Sequence, residues 1–263
     1  MHLARASGVT YRWSPALTGL EAASLEKFRG PRTWFPADEF VLALVDGKSA
    51  VLELGGARTP VSAEHVLLLS PGQAFTLEGG PLQLASVSVD GKLMRKAGGP
   101  AKGFAVPVVE DAALRKAIAK LHASVLAGKA VAEQRALLEA VATRAAKHAG
   151  TGVTSRGPMA KALSELERKS AEGISLEALA KPAGMSVFQL VRAFSREHGI
   201  TPHALLVQLR VQEARRLLRT GARTHEAAKQ AGFADPSHLV RHFKRLMLVT
   251  PGAYARAGGA AAE

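Results

Sequence analysis

Cysteine is absent from the 263 residues. That excludes disulfides, thiolate zinc sites and cysteine nucleophiles. Aromatic residues are scarce, at 5% with two Trp and two Tyr. Acidic residues are in deficit: 22 Asp/Glu stand against 35 Lys/Arg, a net charge of +13. No apolar run reaches the ~18 residues that a spanning helix needs. The start, MHLARASGVTYRWSP, has no apolar core of a signal peptide. A cytoplasmic protein is expected.

What is present is a core and a polyanion-seeking surface. Hydrophobic residues make up 47%, enough for packed domains. A chain of this length suits two modest domains. The positive charge is uneven. Residues 1–150 hold 18 Lys/Arg against 13 Asp/Glu, and residues 158–256 hold 16 against 8. A basic excess of this kind points to nucleic acid or an anionic membrane surface.

Residues 40–90 read as strands. EFVLALV, SAVLEL, HVLLLS, AFTLEG and LQLASVSV are short apolar or alternating runs. Turn residues separate them: Asp46-Gly47-Lys48, Gly55-Gly56, Ser70-Pro71-Gly72 and Glu78-Gly79-Gly80-Pro81. Strands at this regular spacing predict a small sandwich or barrel. Two amphipathic helices follow. Leu114, Ile118, Leu121 and Val125 make one stripe, and Val131, Leu138, Val141 and Ala145 a second. Each stripe needs a partner, either the sheet of the same chain or a twin helix in a dimer. Residues 149–158, AGTGVTSRGP, have linker composition. From Met159 to Tyr254 the pattern is helical, and the tail AGGAAAE is expected to fray.

The helical half contains an internal repeat. Leu190-Val191-Arg192, Phe194, Arg196 and Thr201-Pro202 recur as Leu239-Val240-Arg241, Phe243, Arg245 and Thr250-Pro251 at a constant offset. That regularity indicates a duplication. In the first copy Ser175 caps a short helix, Ala183-Gly184 turns the chain, and Ser186 with Gln189 forms a capping box. Leu190 and Phe194 then face inward, while Arg192 and Arg196 face outward. In the second copy Thr224 is expected to cap, Ala231-Gly232 to turn, and Asp235-Pro236 to start the next helix. Leu239 and Phe243 face inward, leaving His238, Arg241, Lys244 and Arg245 outward. Helix, glycine turn and second helix with a basic outer face is the helix-turn-helix plan. A linking helix over about 202–219 would be ~27 Å long. With the width of the motifs, it suits two recognition helices about one DNA turn, ~34 Å, apart.

Residues 158–256 resemble the DNA-binding domain of the AraC/XylS family of bacterial regulators. The resemblance rests on Leu179-Ala180, Ala183-Gly184-Met185-Ser186, Leu190, Arg192, Phe194, Gly199, Thr201-Pro202, the Arg215–Leu218 stretch, Ala228, Ala231-Gly232-Phe233, Ser237-His238-Leu239, Arg241, Phe243, Thr250-Pro251 and Tyr254. Residues 34–90 resemble the cupin-like effector domain of the same family through HVLLLSPGQAF. By position, the helices at 111–149 match its dimerisation region.

The implied fold is α+β: an N-terminal cupin-like β-barrel or sandwich with two helices, then an all-α domain with two helix-turn-helix motifs. The implied boundaries are 1–103 for the effector domain, 104–149 for the dimerisation region, 150–157 for the linker and 158–257 for the DNA-binding domain. Within the last, the motifs lie at about 175–198 and 224–247. Operator DNA, a small-molecule effector, RNA polymerase and a second copy of the chain are the implied partners.

Carried onto this sequence, the family pattern turns Phe188, Val191 and Arg192, then Ser237, His238, Val240 and Arg241, toward the groove. Arg196, Lys244 and Arg245 complete the basic face. Phe188 and Val191 suit thymine methyls; Arg192 and Arg241 suit guanine or phosphate. Trp34, Phe40 and Phe75 are candidate effector contacts, or simple core. A sensing domain needs a pocket of ~300 Å³ or more.

Three features depart from the pattern. Pro182 falls late in the first motif's first helix and should shorten or kink it. Leu248 stands where the first copy has Gly199, so that helix closes without an easy left-handed residue. Ala74-Phe75 and Asp38-Glu39 occupy places where metal cupins carry histidines.

A cupin-type metal enzyme fused to a DNA module is the competing reading. It requires clustered histidines with a carboxylate, whereas His2, His65, His122 and His148 are scattered. His238 and His242 have zinc spacing but no third ligand nearby in sequence. No metal or cofactor is expected. A DNA-repair methyl acceptor needs a nucleophilic cysteine and is excluded. A constitutive DNA binder whose β domain only dimerises stays open.

Overall fold

The computed structural model describes residues 6–47, 49–151 and 158–258. The predicted linker lies, from residue 152 onward, outside them.

The N-terminal half contains two main antiparallel sheets. The larger has six strands in the order β1-β2-β9-β4-β7-β11. These are β1 (Gly8–Trp13), β2 (Leu20–Phe28), β4 (Glu39–Gly47), β7 (His65–Leu69), β9 (Leu82–Asp90) and β11 (Val108–Glu110). The smaller runs β3-β8-β5-β6, from β3 (Arg32–Trp34), β5 (Ala50–Leu54), β6 (Ala57–Val61) and β8 (Phe75–Gly79). A short pair joins β10 (Gly103–Phe104) to β12 (Ala149–Gly150). The arrangement is an open sandwich; among the described residues no closed barrel forms.

The unbroken apolar runs have a simple cause: the large sheet is covered on both faces. On β4 and β7, Val41, Ala43, Val45, Leu67 and Leu69 pack with Leu52, Leu77 and Trp34 of the small sheet. Their alternate neighbours Phe40, Leu42, Leu44, Val66 and Leu68 pack beneath two helices. These are α2 (Ala112–Leu126) and α3 (Val131–Ala145), which follow the short α1 (Gly91–Lys96). Leu114, Ile118 and Leu121 are fully buried and Val125 nearly so. The predicted stripe is therefore spent on the chain's own sheet, and is not available to a twin helix. In α3, Leu138, Val141 and Ala145 are buried while Val131 is exposed.

The C-terminal half is helical. It comprises α4 (Pro158–Arg168), α5 (Leu176–Ala180), α6 (Val187–His198), α7 (Pro202–Arg219), α8 (Thr224–Gln230), α9 (Pro236–Met247) and α10 (Pro251–Arg256). Pro182 has the expected effect. Helix α5 ends at Ala180, and Lys181–Ala183 continue as a 3₁₀ turn, because proline lacks the donor for another α-helical bond. No described helix is long and apolar enough to cross a membrane.

Candidate nucleic-acid interface and interdomain seam

The duplication is exact at the level of helix ends. α6 and α9 each have 12 residues. Ser186 accepts from Gln189 N at 3.3 Å, and Ser186 N donates to Gln189 Oε1 at 2.9 Å. Asp235 accepts from His238 N at 2.8 Å. Each cap satisfies donors that a helix start leaves free. Thr224 differs from expectation: it is the first helical residue, and Arg223 N donates instead to Glu226 at 2.8 Å. Gly232, at φ +80°, makes the second tight turn, and a Cβ there would lie 2.2 Å from Ala171 O. Gly199 and Leu248 both close their helices left-handed, at φ 69° and 62°.

Leu190, Phe194, Leu239 and Phe243 are fully buried, so both helices have one fixed rotation. That rotation presents Phe188, Arg192, Arg196, Ser237, Arg241, Lys244 and Arg245 to solvent, with Val191, His238 and Val240 half-buried beside them. All ten predicted residues thus stay out of the protein interior. Phe188 is 69% exposed, and the Arg192 guanidinium stands 5.5 Å from its ring centroid. His238 and His242 rings are 4.7 Å apart. Burial, then the positive charge of Arg245, lowers His242 to about 4, so it is uncharged at neutral pH. Among the described residues no group of three His, Cys, Asp or Glu is placed to hold a metal.

The linking helix α7 does more than space the motifs. Gln208, Gln212, Arg215 and Arg219 recur at i, i+4, i+7 and i+11, one stripe, and that stripe docks on the β domain. Phe35 N donates to Gln208 Oε1 at 2.7 Å and Ala37 N to Gln212 Oε1 at 3.1 Å. Gln208 Nε2 returns a bond to Thr33 O at 3.3 Å, and Gln212 Nε2 donates to Phe35 O. The two amides serve the 33–37 backbone much as a neighbouring strand would.

One turn further, Glu21 of β2 accepts from Arg215 at 2.7 Å and Arg219 at 2.6 Å. The Tyr254 hydroxyl also donates to it. Glu39 adds a 3.3 Å contact to Arg215. Burial pushes the Glu21 carboxyl up, but Arg215 and then Arg219 outweigh it and hold it below its ordinary value. Tyr11 donates to Met247 O at 3.0 Å, and the Trp13 and Tyr254 rings pack 5.0 Å apart. The spacing of the two glutamines and two arginines was legible in the sequence. The helix-former composition of β2, LEAASLEKF, concealed their partner.

A cavity of about 90 Å³ lies between the two sheets, lined by Trp34, Phe75, Leu67, Leu69, Arg32 and Arg215 among others. It is smaller than the ~300 Å³ expected of a sensing pocket. Trp34 and Phe75 are brought together here. Phe40 is not: it points to the helix side of β4, against Phe104 at 5.4 Å, because alternate strand residues face opposite ways. Arg32 Nε and Arg215 Nε are buried without a hydrogen-bond partner. Both guanidinium groups stand 5.5 Å from the Trp34 ring centroid. Sequence reading missed Arg215 as a cavity residue because it arrives from the other domain.

Comparison with known proteins places these features. Residues 179–257 match the family model described as a helix-turn-helix domain. The chain is 39% identical over 74 residues to the HTH-type transcriptional regulator YbfI of Bacillus subtilis, covering 28% of this chain and 27% of that protein. It is 35% identical over 86 residues to the regulator MtrA of Neisseria gonorrhoeae, covering 32% and 29%. It is 33% identical over 84 residues to the transcriptional activator RhaS of Escherichia coli, covering 32% and 30%. These matches span less than a third of each relative. The whole chain shares its fold with ToxT from Vibrio cholerae, solved with an unsaturated fatty acid bound. The TM-score is 0.55 at 14% identity, covering 100% of both chains.

Proposed function

We propose that the protein is a sequence-specific DNA-binding transcription regulator of the AraC/XylS family rather than an enzyme, its helix-turn-helix domain matched over residues 179–257. The observation that carries the reading is the paired presentation of α6 and α9. Two equal helices, rigidly capped, expose Arg192, Arg196, Arg241, Lys244 and Arg245 on a domain with excess positive charge. The protein side of a major-groove interface has this form. Residues 158–257 are the DNA-binding part, residues 1–103 the effector part and 104–149 the helical region between. The test is selection of duplexes from a random pool by the full chain, followed by titration against salt. A preferred duplex whose affinity falls steeply with salt is expected, because phosphate contacts release counterions. Recovery of no preferred sequence would overturn the reading.

The effector assigned to the N-terminal half is a small carboxylic acid. Arg32 and Arg215 both line one largely apolar cavity, each with a buried Nε that lacks an acceptor, and a carboxylate is the anion that two guanidinium groups bind well. ToxT, which shares the fold, has been solved with an unsaturated fatty acid and with (E)-4-(8-methylnaphthalen-1-yl)but-3-enoic acid, both carboxylic acids. A cavity of about 90 Å³ takes only a short acid unless the seam opens, so effector size and domain arrangement are linked. A ligand that favours one arrangement changes DNA affinity, and DNA changes ligand affinity by the same factor. Thermal shifts with straight-chain acids from acetate to decanoate test this. Stabilisation that Arg32→Met abolishes is expected; no shift with any acid would remove the assignment. Self-association would use the outer faces of α2 and α3, where Lys116, Lys120, Arg135 and Glu139 are exposed.

A further inference from the structure

The inter-sheet cavity touches the two motifs unequally. Of the described residues that line it, only Arg215 and Met247 come from the helical half. Met247 is the last residue of α9 and is buried. Its carbonyl, one of those that a helix end leaves free, accepts from the Tyr11 hydroxyl at 3.0 Å. Tyr11 lines the cavity too. Leu248, the next residue, is left-handed, a state that a Cβ disfavours, so tertiary contacts hold this helix end. A second path ends on the same helix. Glu21 lines the cavity and accepts from the Tyr254 hydroxyl, and the Tyr254 ring stands 5.4 Å from that of Phe243, the buried anchor of α9. Leu239, Phe243 and Met247 share one apolar cluster with Tyr11, Leu67 and Leu69. Helix α6 is placed differently. Leu190 and Phe194 belong to a separate cluster, whose buried members from the β domain are Phe35 and Ala74. Neither of these lines the cavity.

We propose that an acid in this cavity controls the second motif selectively, through Tyr11 and Met247, and leaves the recognition helix of the first motif in place. The inference rests on the effector and DNA-binding readings above, and adds which half-site responds. The cavity holds about 90 Å³, so any acid beyond a short one displaces lining side chains. Packed interiors yield by discrete repacking, and the unbranched Met247 is the most adaptable side chain on this wall. Its displacement, or that of the Tyr11 ring, works on the hydrogen bond that holds the end of α9. Without that bond the helix is free to change its tilt. A ligand shifts such an equilibrium only as far as it favours one state over the other, and here the contacts that differ between states are on α9. Helix α6 keeps its own core.

The experiment uses the full chain, the duplex recovered by random-pool selection, and the acid of the acetate-to-decanoate series that raises the melting temperature most, at saturation. The preferences that Arg192→Ala and Arg241→Ala relax assign each half-site to its motif. Two further duplexes each have one half-site scrambled. Acid should change affinity for the duplex that keeps only the second half-site about tenfold, within the usual range of coupling between sites. For the duplex that keeps only the first, the change should stay under about twofold. Tyr11→Phe removes the hydroxyl alone. Without acid, this variant should bind the second half-site about fivefold more weakly, the worth of one hydrogen bond, and the first unchanged; circular dichroism checks its fold. An acid effect equal at both half-sites or absent from both, or a Tyr11→Phe loss that spares the second, would overturn the proposal and leave the effector and DNA-binding readings standing. If no acid shifts the melting temperature, the effector reading falls and this inference with it.

Discussion

Arg215 of α7 and Glu21 of β2 are joined at 2.7 Å across the seam between the two halves, with side chains only 4% and 3% exposed. A charge taken this far from water is costly unless paired. Here it is paired twice, through Glu21 and Glu39, and the same side chain is among those that line the inter-sheet cavity. One guanidinium therefore belongs to the linking helix, the interdomain seam and the candidate effector site together. That gives an occupied cavity a direct route to the element that spaces the two motifs.

Removing the carboxylate should be expensive. Glu21→Ala leaves Arg215 and Arg219 facing Glu39 alone, and unfolding in urea should show a loss of ~3 kcal/mol. The double change Glu21→Met with Arg215→Met should recover part of it, because buried pairs are often replaceable by apolar groups. A loss under ~1 kcal/mol for the single change would mean that the seam is open in solution.

Charge in the helix stripe should unfold rather than dissociate. Leu121 is fully buried beneath the sheet, so Leu121→Asp buries an unpaired carboxylate and should cost more than ~4 kcal/mol. Loss of near-ultraviolet dichroism with aggregation is expected. Clean conversion of a dimer to folded monomers would assign the stripe to an intermolecular contact. Lys120→Glu, on the exposed face, should leave the fold intact.

The exposed arginines divide into readers and anchors. Arg192→Ala and Arg241→Ala should each cost ~1–3 kcal/mol and relax preference at one base position, if each arginine is bidentate to guanine. A uniform loss across sequences, with a shallower salt slope, assigns that arginine to phosphate.

His242 should make the helical half acid-sensitive above the carboxylate range. Its folded pKa is about 4, below the ~6.5 of an unfolded histidine. Between those values the unfolded chain binds more protons, so stability falls as pH drops from about 6.5 toward 4. His242→Gln should flatten part of that fall in melting temperature. His198 and His122, also lowered by burial, should sustain the rest. An unchanged slope in the variant would contradict the assignment.

Leu248 carries a left-handed backbone at φ 62°, where a Cβ is unfavourable. Leu248→Gly should therefore be more stable than Leu248→Ala by ~1 kcal/mol in the same unfolding assay. Equal stabilities would show that the helix end relaxes.

The sequence by itself determined whatever depends on local pattern. The offset repeat specified two helices of equal length, and Leu190 with Phe194, then Leu239 with Phe243, set which side of each is inward. Ser186, Gln189 and Asp235 marked helix starts. Apolar runs marked β4, β5, β7, β8 and β9. All are contacts within a few residues or along one element, where periodicity and capping chemistry act directly. Other features required tertiary structure. β1 and β2 escaped because their strand state comes from pairing and from the seam, not from composition. Whether the α2 stripe meets its own sheet or a twin helix is a choice between equally apolar partners, which periodicity does not distinguish. Trp34 and Phe75 share a cavity while Phe40 turns away, because strand parity relative to two covering layers decides it. The Glu21–Arg215 pair joins positions nearly two hundred residues apart, and only the folded chain brings those two charges to one dry place.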